Sequence, residues 1–170
     1  MESLKIIAFA TLAAIVYGIL HDQVTAHLCV EYFTIAHPPV FPTSSPFLLA
    51  LGWGVIATWW VGLPLGVLLA IVARAGGAPR LVLVDLRGAI LRLMLVSAVG
   101  ALLAGIAGAT ATTMGAVTVS PYWASVIPPA KHVAFLADAW AHGASYLIGA
   151  IGGLVVIGYA IARRRQLRRA

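Results

Sequence analysis

The chain alternates four long apolar stretches with short polar or proline-rich segments. The first apolar stretch begins at about residue 4. Residues then recur at three- and four-residue steps (Val24, Leu28, Glu31 and Ile35), which predicts one helix over about 4–36. The other three stretches predict helices over about 47–73, 88–114 and 131–163. The second is the clearest, because residues 47–72 carry no charged side chain. A helix of roughly 20 residues crosses a hydrocarbon core of about 30 Å, so the pattern predicts four transmembrane helices.

Proline and glycine mark the connections between these helices. Residues 38–46 contain four prolines, and proline inside a helix removes a backbone donor, so this segment is predicted to be a loop. Ser44 or Ser45 is the predicted N-cap of the second span. Residues 74–80 are predicted to turn, since they contain two glycines and a proline. The amphipathic residues 81–92 are predicted to lie at the interface or to form the first turns of the third span.

The composition strengthens the membrane assignment. Hydrophobic residues make up 62% of the chain and charged residues only 9%, whereas a soluble domain has about 25% charged residues. We therefore predict one all-α transmembrane domain over 1–170, folded as an up-down bundle. The net charge of +6 lies in short patches beside apolar runs, which is typical of membrane topology and anionic lipid. The lipid bilayer is thus the expected partner, and no nucleic acid is expected.

The positive charges predict the orientation. Ten of the eleven Lys and Arg residues lie at the two termini or between the second and third spans, and Lys131 alone lies on the other side. By the positive-inside rule both termini are cytoplasmic, and the first helix extends beyond the membrane on the outer side. The expected location is a bacterial inner (plasma) membrane. The first span is interpreted as retained, because HDQVTAH follows it without a small-residue cleavage site.

This orientation brings the ionisable residues to one end of the bundle. All five histidines and three of the five carboxylates follow the outer end of the first span or begin the fourth. Ionisable groups near a membrane are expensive and tend to face the bundle interior. Asp138 and His142 are four residues apart and share a helix face. If the first and fourth helices are neighbours, His21 and Glu31 can face this pair.

Imidazole and carboxylate groups in this combination favour a transition metal, with zinc, iron, manganese and copper as candidates. No EXXH, HEXXH or HXH motif is present. The predicted metal ligands are His21, Glu31, His132, Asp138 and His142. The residues predicted to orient these ligands or to donate protons are Asp22, Cys29, Tyr32, His37 and Tyr146. A haem held by His21 and His142 is less favoured, because carboxylates flank both histidines.

Three classes of function fit these residues. The first is a membrane-embedded metal-binding protein with its site at the outer (periplasmic) face, either an enzyme or a redox protein acting on a lipid, a quinone or a small molecule. The second is a proton- or ion-conducting transport unit that uses the same cluster as a relay. The third is an accessory subunit of a larger membrane complex. A partner or a second copy would dock through small-residue faces at Gly62 and Gly66 or at Gly149 and Gly153. The roles of three further residues stay open: His27, Trp59 and Trp60.

Overall fold

The computed structural model describes residues 1–77 and 79–169. The described part contains helices and no strand. The helices are α1 (Glu2–Leu28), α2 (Val30–Thr34), α3 (Pro46–Arg74), α4 (Leu83–Thr113), α5 (Pro121–Val126) and α6 (His132–Arg169), with a 3₁₀ turn (Pro129–Lys131) before α6. Helices α1, α3, α4 and α6 are long and apolar enough to cross a membrane, which confirms the predicted all-α bundle. Ala78 in the predicted turn and Ala170 at the chain end lie outside the described residues.

The four long helices form a ring. Helix α1 packs along α3, and α4 packs along α6, while weaker contacts join α1 to α4 and α3 to α6. The order around the ring is therefore α1, α3, α6, α4, and α1 meets α6 only across the bundle interior. A buried apolar cluster that includes Ile6, Leu69 and Leu86 fills one end. A smaller cluster with Cys29 and Phe135 fills the other end.

Glycines allow the backbones of α1 and α3 to approach closely. A Cβ atom at Gly62 would lie 3.0 Å from the Cα of Thr11, and one at Gly66 would lie 3.1 Å from the Cα of Ile7. These separations are tighter than ordinary side-chain contacts, so glycine is needed at this interface. The predicted face of Gly62 and Gly66 thus packs against α1 of the same chain. Association with another chain through small-residue faces stays a prediction.

The predicted continuous helix over about 4–36 is interrupted. Helix α1 ends one residue before Cys29, whose φ of −145° and ψ of 88° are not helical. Cys29 is fully buried and packs in one cluster with Ile127 and Phe135. This tertiary packing accounts for the break, because the local sequence contains no proline or glycine that would cause it. Helix α2 then brings Tyr32 to Phe135, with ring centroids 5.5 Å apart.

Arg164 fastens the opposite end of the bundle. Its guanidinium donates hydrogen bonds to four backbone carbonyl groups at the end of α3 and in the following loop. These acceptors are Val72 at 2.6 Å, Ala75 at 2.8 Å, Gly77 at 2.9 Å and Pro79 at 3.0 Å. Carbonyl groups in the last turn of a helix have no intrahelical donor, so Arg164 acts as a cap supplied by α6. An arginine that the sequence marks as a topology signal therefore also joins two helices.

Candidate metal site

The centre of the polar cluster is a contact between His142 of α6 and Asp22 of α1. The Nδ1–H of His142 donates to the backbone carbonyl of Asp138 at 2.8 Å. Because a carbonyl oxygen only accepts, Nδ1 carries a proton, and in a neutral ring Nε2 presents a lone pair. That Nε2 lies 3.3 Å from Oδ1 of Asp22, and the two side chains are only 10% and 6% exposed. Two acceptors therefore face each other in a dry interior, which requires a proton or a metal cation between them.

His21 completes a group of three ligand side chains. One ligand atom from each of His21, Asp22 and His142 lies within 4.8 Å of the other two. The rings of His21 and His142 are 4.5 Å apart at an interplanar angle of 75°, and Nε2 of His21 is buried without a hydrogen-bond partner among the described residues. Tetrahedral ligands about 2.1 Å from a metal stand about 3.4 Å apart. The Asp22–His142 separation of 3.3 Å already matches this value.

Asp138 places a second carboxylate beside this group. Its side chain is fully buried, and neither Oδ1 nor Oδ2 has a hydrogen-bond partner in the described part of the chain. Burying an unpaired carboxylate costs several kcal/mol in a protein interior. A cation nearby, or a proton on the carboxyl group, would offset this cost. Asp138 therefore orients His142 through its backbone carbonyl.

Aromatic side chains cover His142 on the side of α2. The ring of Tyr32 lies 4.7 Å and that of Phe33 5.8 Å from the His142 ring. His37 stacks on Phe33 at 5.4 Å and donates through Nδ1 to the backbone carbonyl of Tyr32 at 2.8 Å. Burial raises the pKa of the Tyr32 hydroxyl to about 12 and lowers the pKa of His37. Tyr32, Phe33 and His37 thus form an uncharged aromatic cover over the cluster.

Two predicted ligands have other partners. Oε2 of Glu31 lies 3.4 Å from Nζ of Lys131 and accepts a hydrogen bond from the Cys29 thiol at 3.5 Å. Partial burial raises the pKa of Glu31, but hydrogen bonds from its own backbone N–H and from Lys131 outweigh this effect and leave the pKa lowered. His132 donates through Nε2 to the carbonyl of Ile127 at 3.0 Å. Neither residue belongs to the three-residue group, and their metal roles stay predictions.

Two residues predicted to support the ligands lie at the edges of the site. Burial raises the pKa of the Cys29 thiol to about 11, and this thiol donates to Oε2 of Glu31 and does not belong to the three-residue group. Tyr146 is nearly half exposed, at 47%. Their predicted roles toward the cluster stay untested predictions.

Sequence reasoning missed one contact between α1 and α6 and ranked another too low. The hydroxyl groups of Tyr17 and Ser145 lie 2.6 Å apart, one turn deeper in the bundle than the histidines. Tyr17 could have been identified from the sequence, because it lies four residues before His21, on the same helix face, within an otherwise apolar span. Asp22 was predicted to support the ligands, yet it touches His142 directly.

The fold and the cluster together define a class: an α-helical membrane protein of four spans with a buried histidine–carboxylate group between its first and last helices. Comparisons with known protein families, with curated proteins and with solved structures give no match. The chemistry of the cluster is therefore the basis for a functional assignment.

Proposed function

We propose that this protein binds one divalent transition-metal ion through His21, Asp22 and His142. The observation that carries the proposal is the 3.3 Å approach of the Nε2 lone pair of His142 to the carboxylate of Asp22. Two imidazoles and one carboxylate are the ligand set of many catalytic zinc sites and of non-haem iron(II) sites. Such sites keep coordination positions open, so the proposed role is reactive rather than purely structural. Zinc and iron are the favoured ions, ahead of manganese and copper.

Residues around the ion would orient its ligands, accept protons and exclude water. When bound, the ion would supply Lewis acidity or, for a redox metal, a route for electrons. Asp138 holds the imidazole of His142 in one orientation through its carbonyl, and its partnerless carboxylate is the natural proton acceptor beside the site. The aromatic cover limits the access of water, which strengthens electrostatic interactions at the cluster. The protein would then be a metalloenzyme or a redox protein acting on a lipid, a quinone or a small molecule.

The proposed location is the plasma membrane of a bacterium, with both termini in the cytoplasm. The distribution of Lys and Arg supports this orientation. Arg164 lies at the end of the bundle where α3 ends, whereas the metal-ligand group lies toward the end where α3 begins. The site would therefore face the non-cytoplasmic side.

A proton relay is the alternative that uses the same residues, and the described interior favours it less. Polar contacts between α1 and α6 run from the His142–Asp22 pair down to Tyr17 and Ser145. Toward the other face, residues 6–16 of α1 contain one polar side chain, Thr11, whose hydroxyl donates to the carbonyl of Ile7 within its own helix. A relay through one bundle would need a connected row of polar groups beyond this level, where α4 offers the buried hydroxyl of Ser97 without a hydrogen-bond partner among the described residues. A metal site needs only the local group.

Elemental analysis of the protein purified in detergent tests the proposal. We expect about one equivalent of metal per wild-type chain, and loss of that metal in both His142→Ala and Asp22→Ala. The matched control is His27→Ala, because His27 is exposed and donates to the carbonyl of Gln23 in its own helix. This control should keep its metal. A stable wild-type protein that stays metal-free after incubation with each candidate ion would refute the metal site, and pH-dependent proton flux in liposomes would then support the relay.

A further inference from the structure

A small pocket lies between the first turns of α1 and α4, at the end of the bundle opposite the histidine–carboxylate group. It has a volume of ≈ 380 Å³, and its walls include Glu2 and Lys5 of α1 and Val84 and Arg87 of α4. The backbone N–H of Leu83 donates to Oε2 of Glu2 at 3.4 Å, and this contact joins the two helix ends. The pocket shares no residue with the proposed metal site.

The pocket lies at the level where the spans leave the membrane. The backbone N–H of Leu81, just before α4, donates to the carbonyl of Ala73 at 3.0 Å, so the start of α4 is level with the end of α3. Arg164 of α6 donates to carbonyl groups at that same end of α3. Phospholipid phosphate groups lie at this level of a membrane, and basic pockets between transmembrane helices on the cytoplasmic side bind anionic head groups.

The cations of the pocket are only partly neutralised by the protein. Oε1 of Glu2 accepts a hydrogen bond from Nζ of Lys5 at 2.6 Å, and Oε2 accepts from the N–H of Leu83, so both oxygens have partners. Lys5 keeps two of its three ammonium hydrogens for another acceptor. Arg87 is exposed and forms no salt bridge in the described part of the chain. An anion in the pocket would therefore meet one unpaired guanidinium and the free hydrogens of an ammonium group.

The start of α4 does not itself supply the donors for this anion. The backbone N–H of Val82 donates to Oδ2 of Asp85 at 2.9 Å, and the N–H of Leu83 is used in the contact with α1. These backbone donors are occupied, so the side chains of Lys5 and Arg87 are the groups that can bind an anion. The guanidinium group matches two phosphate oxygens at once, and the ammonium group acts as a point charge.

Exposed apolar side chains adjoin the pocket and favour a lipid over a free anion. Leu4 precedes Lys5 in the chain, and Val84 is part of the pocket wall, yet both side chains are more than half exposed. Leu91 lies four residues after Arg87 on the same face of α4, and Leu95 continues that face. Both leucines are also more than half exposed. A free phosphate ion would gain nothing from this surface, whereas an acyl chain would cover it.

We propose that Lys5 and Arg87 bind the phosphate group of an anionic phospholipid, with one acyl chain against Leu91 and Leu95 of α4. With both termini in the cytoplasm, the lipid comes from the inner leaflet. The bound lipid would link the ends of α1 and α4, which pack on each other far less than α1 packs on α3 or α4 on α6. The proposal goes beyond the metal site and does not depend on it.

Competition for a labelled lipid tests the site. The purified protein is immobilised in detergent, tritiated phosphatidylglycerol is added, and bound label is counted by scintillation proximity. Unlabelled phosphatidylglycerol should displace the label, and phosphatidylcholine with the same acyl chains should need a concentration at least about fivefold higher, as expected for about one additional charge interaction. Inorganic phosphate in hundredfold excess over the labelled lipid should not displace it. Equal competition by phosphatidylcholine, or displacement by inorganic phosphate as effective as by phosphatidylglycerol, would overturn the proposal.

Single substitutions locate the site. Arg87→Gln should weaken the binding of phosphatidylglycerol about fivefold, equivalent to about 1 kcal/mol, because each Lys or Arg near an anionic surface contributes about that much. Lys5→Gln should have a similar effect, and it serves as the test if Arg87→Gln does not yield folded protein. The matched control is Arg168→Gln, which removes an exposed charge of the same kind near the end of α6. Equal losses in Arg87→Gln and Arg168→Gln would show diffuse attraction by the net charge and would overturn the site.

The metal content of the same samples separates this proposal from the metal site. Neither Lys5 nor Arg87 lies in the metal-ligand group, so both variants should keep the metal content of the wild type. Selective binding of phosphatidylglycerol by a protein that never binds metal supports the lipid site and overturns the metal site alone. Wild-type metal content without any preference for phosphatidylglycerol overturns the lipid site alone.

Discussion

Replacing Asp22 by asparagine distinguishes a metal site from a buried ion pair, because the two predict opposite changes in stability. The Nδ1–H of His142 is occupied by the Asp138 carbonyl, and Nε2 faces Oδ1 of Asp22 at 3.3 Å. If no proton replaces the ion when the metal is removed, these two acceptors face each other without a bridge. The amide group of asparagine would place an N–H there, which can donate to Nε2.

The size of the change follows from the burial of the pair. A new neutral hydrogen bond contributes about 0.5–1.5 kcal/mol, and removal of a buried carboxylate relieves a desolvation cost of several kcal/mol. We expect Asp22→Asn to raise the free energy of unfolding of the metal-free protein by about 1–3 kcal/mol. If His142 instead carries a second proton and forms an ion pair, the variant leaves a buried imidazolium alone. The free energy of unfolding would then fall by about 3–5 kcal/mol.

The measurement compares chelator-treated wild type and variant in mild detergent, by titration with a denaturing detergent followed by circular dichroism. Metal affinity is measured in parallel, and we expect Asp22→Asn to weaken it more than the about 10–100-fold typical of losing an outer hydrogen bond. Glu31→Gln is the matched control, because Glu31 pairs with Lys131 away from the cluster. It should keep its metal and change stability by less than about 1 kcal/mol. A fall of about 3 kcal/mol in metal-free Asp22→Asn, unaffected by added metal, would refute the metal interpretation.

Other substitutions test the packing that supports the site, and metal removal tests the site itself. Arg164→Ala removes four partly exposed hydrogen bonds and should lower the free energy of unfolding by about 2–4 kcal/mol, whereas the exposed neighbour variant Arg163→Ala should change it by less than about 0.5 kcal/mol. Gly62→Leu overpacks the α1–α3 interface and should cost at least about 1–3 kcal/mol in the same titration. A Cβ atom at Gly158 of α6 meets nothing within 4 Å, so Gly158→Ala should be neutral or stabilise by up to about 1 kcal/mol. Chelation should lower the Tm of the wild type. Metal at 100 times its Kd should restore about 2.7 kcal/mol of the free energy of unfolding.

The spans could be predicted from the sequence because a chain that crosses lipid must be both apolar and helical. A helix satisfies all of its backbone hydrogen bonds internally, so long uncharged runs bounded by proline and arginine predict spans directly. Helix α3 begins at Pro46 with Ser45 as its N-cap, one of the two residues that the sequence indicates. The order of the helices around the ring could not be predicted from the sequence. It depends on which helix faces pack together, and several faces carry the small residues that allow close packing.

The break at Cys29 is the feature that local sequence could not predict. On a continuous helix, Glu31 would lie about 80° around the helix axis from His21, and the two could face α6 together. The break redirects the chain, so Glu31 pairs with Lys131 instead. The cause is the burial of Cys29 against residues far away in the sequence, a tertiary effect that helical periodicity does not contain.

The direct role of Asp22 had a signal that the prediction did not use. The buried residues of α1 include Ile6, Ala10, Gly18, Asp22 and Ala26, which recur at multiples of four residues. A carboxylate within a stripe of small packing residues must point between helices, whereas a carboxylate that merely marks the water boundary has no reason to lie on that stripe. Asp22 lies on this buried stripe of α1, whereas Glu31 lies beyond the break at Cys29.

The same break at Cys29 determines which side of the cluster is covered by aromatic rings. Because α2 turns at Cys29, Tyr32 and Phe33 lie against His142 and close the cluster on that side. His21 and Asp138 also line a cavity between α1 and α4, whose other walls are almost entirely apolar. The aromatic cover on the side of α2 and the apolar cavity between α1 and α4 thus fit the proposed action on a lipid or a quinone better than action on a water-soluble molecule.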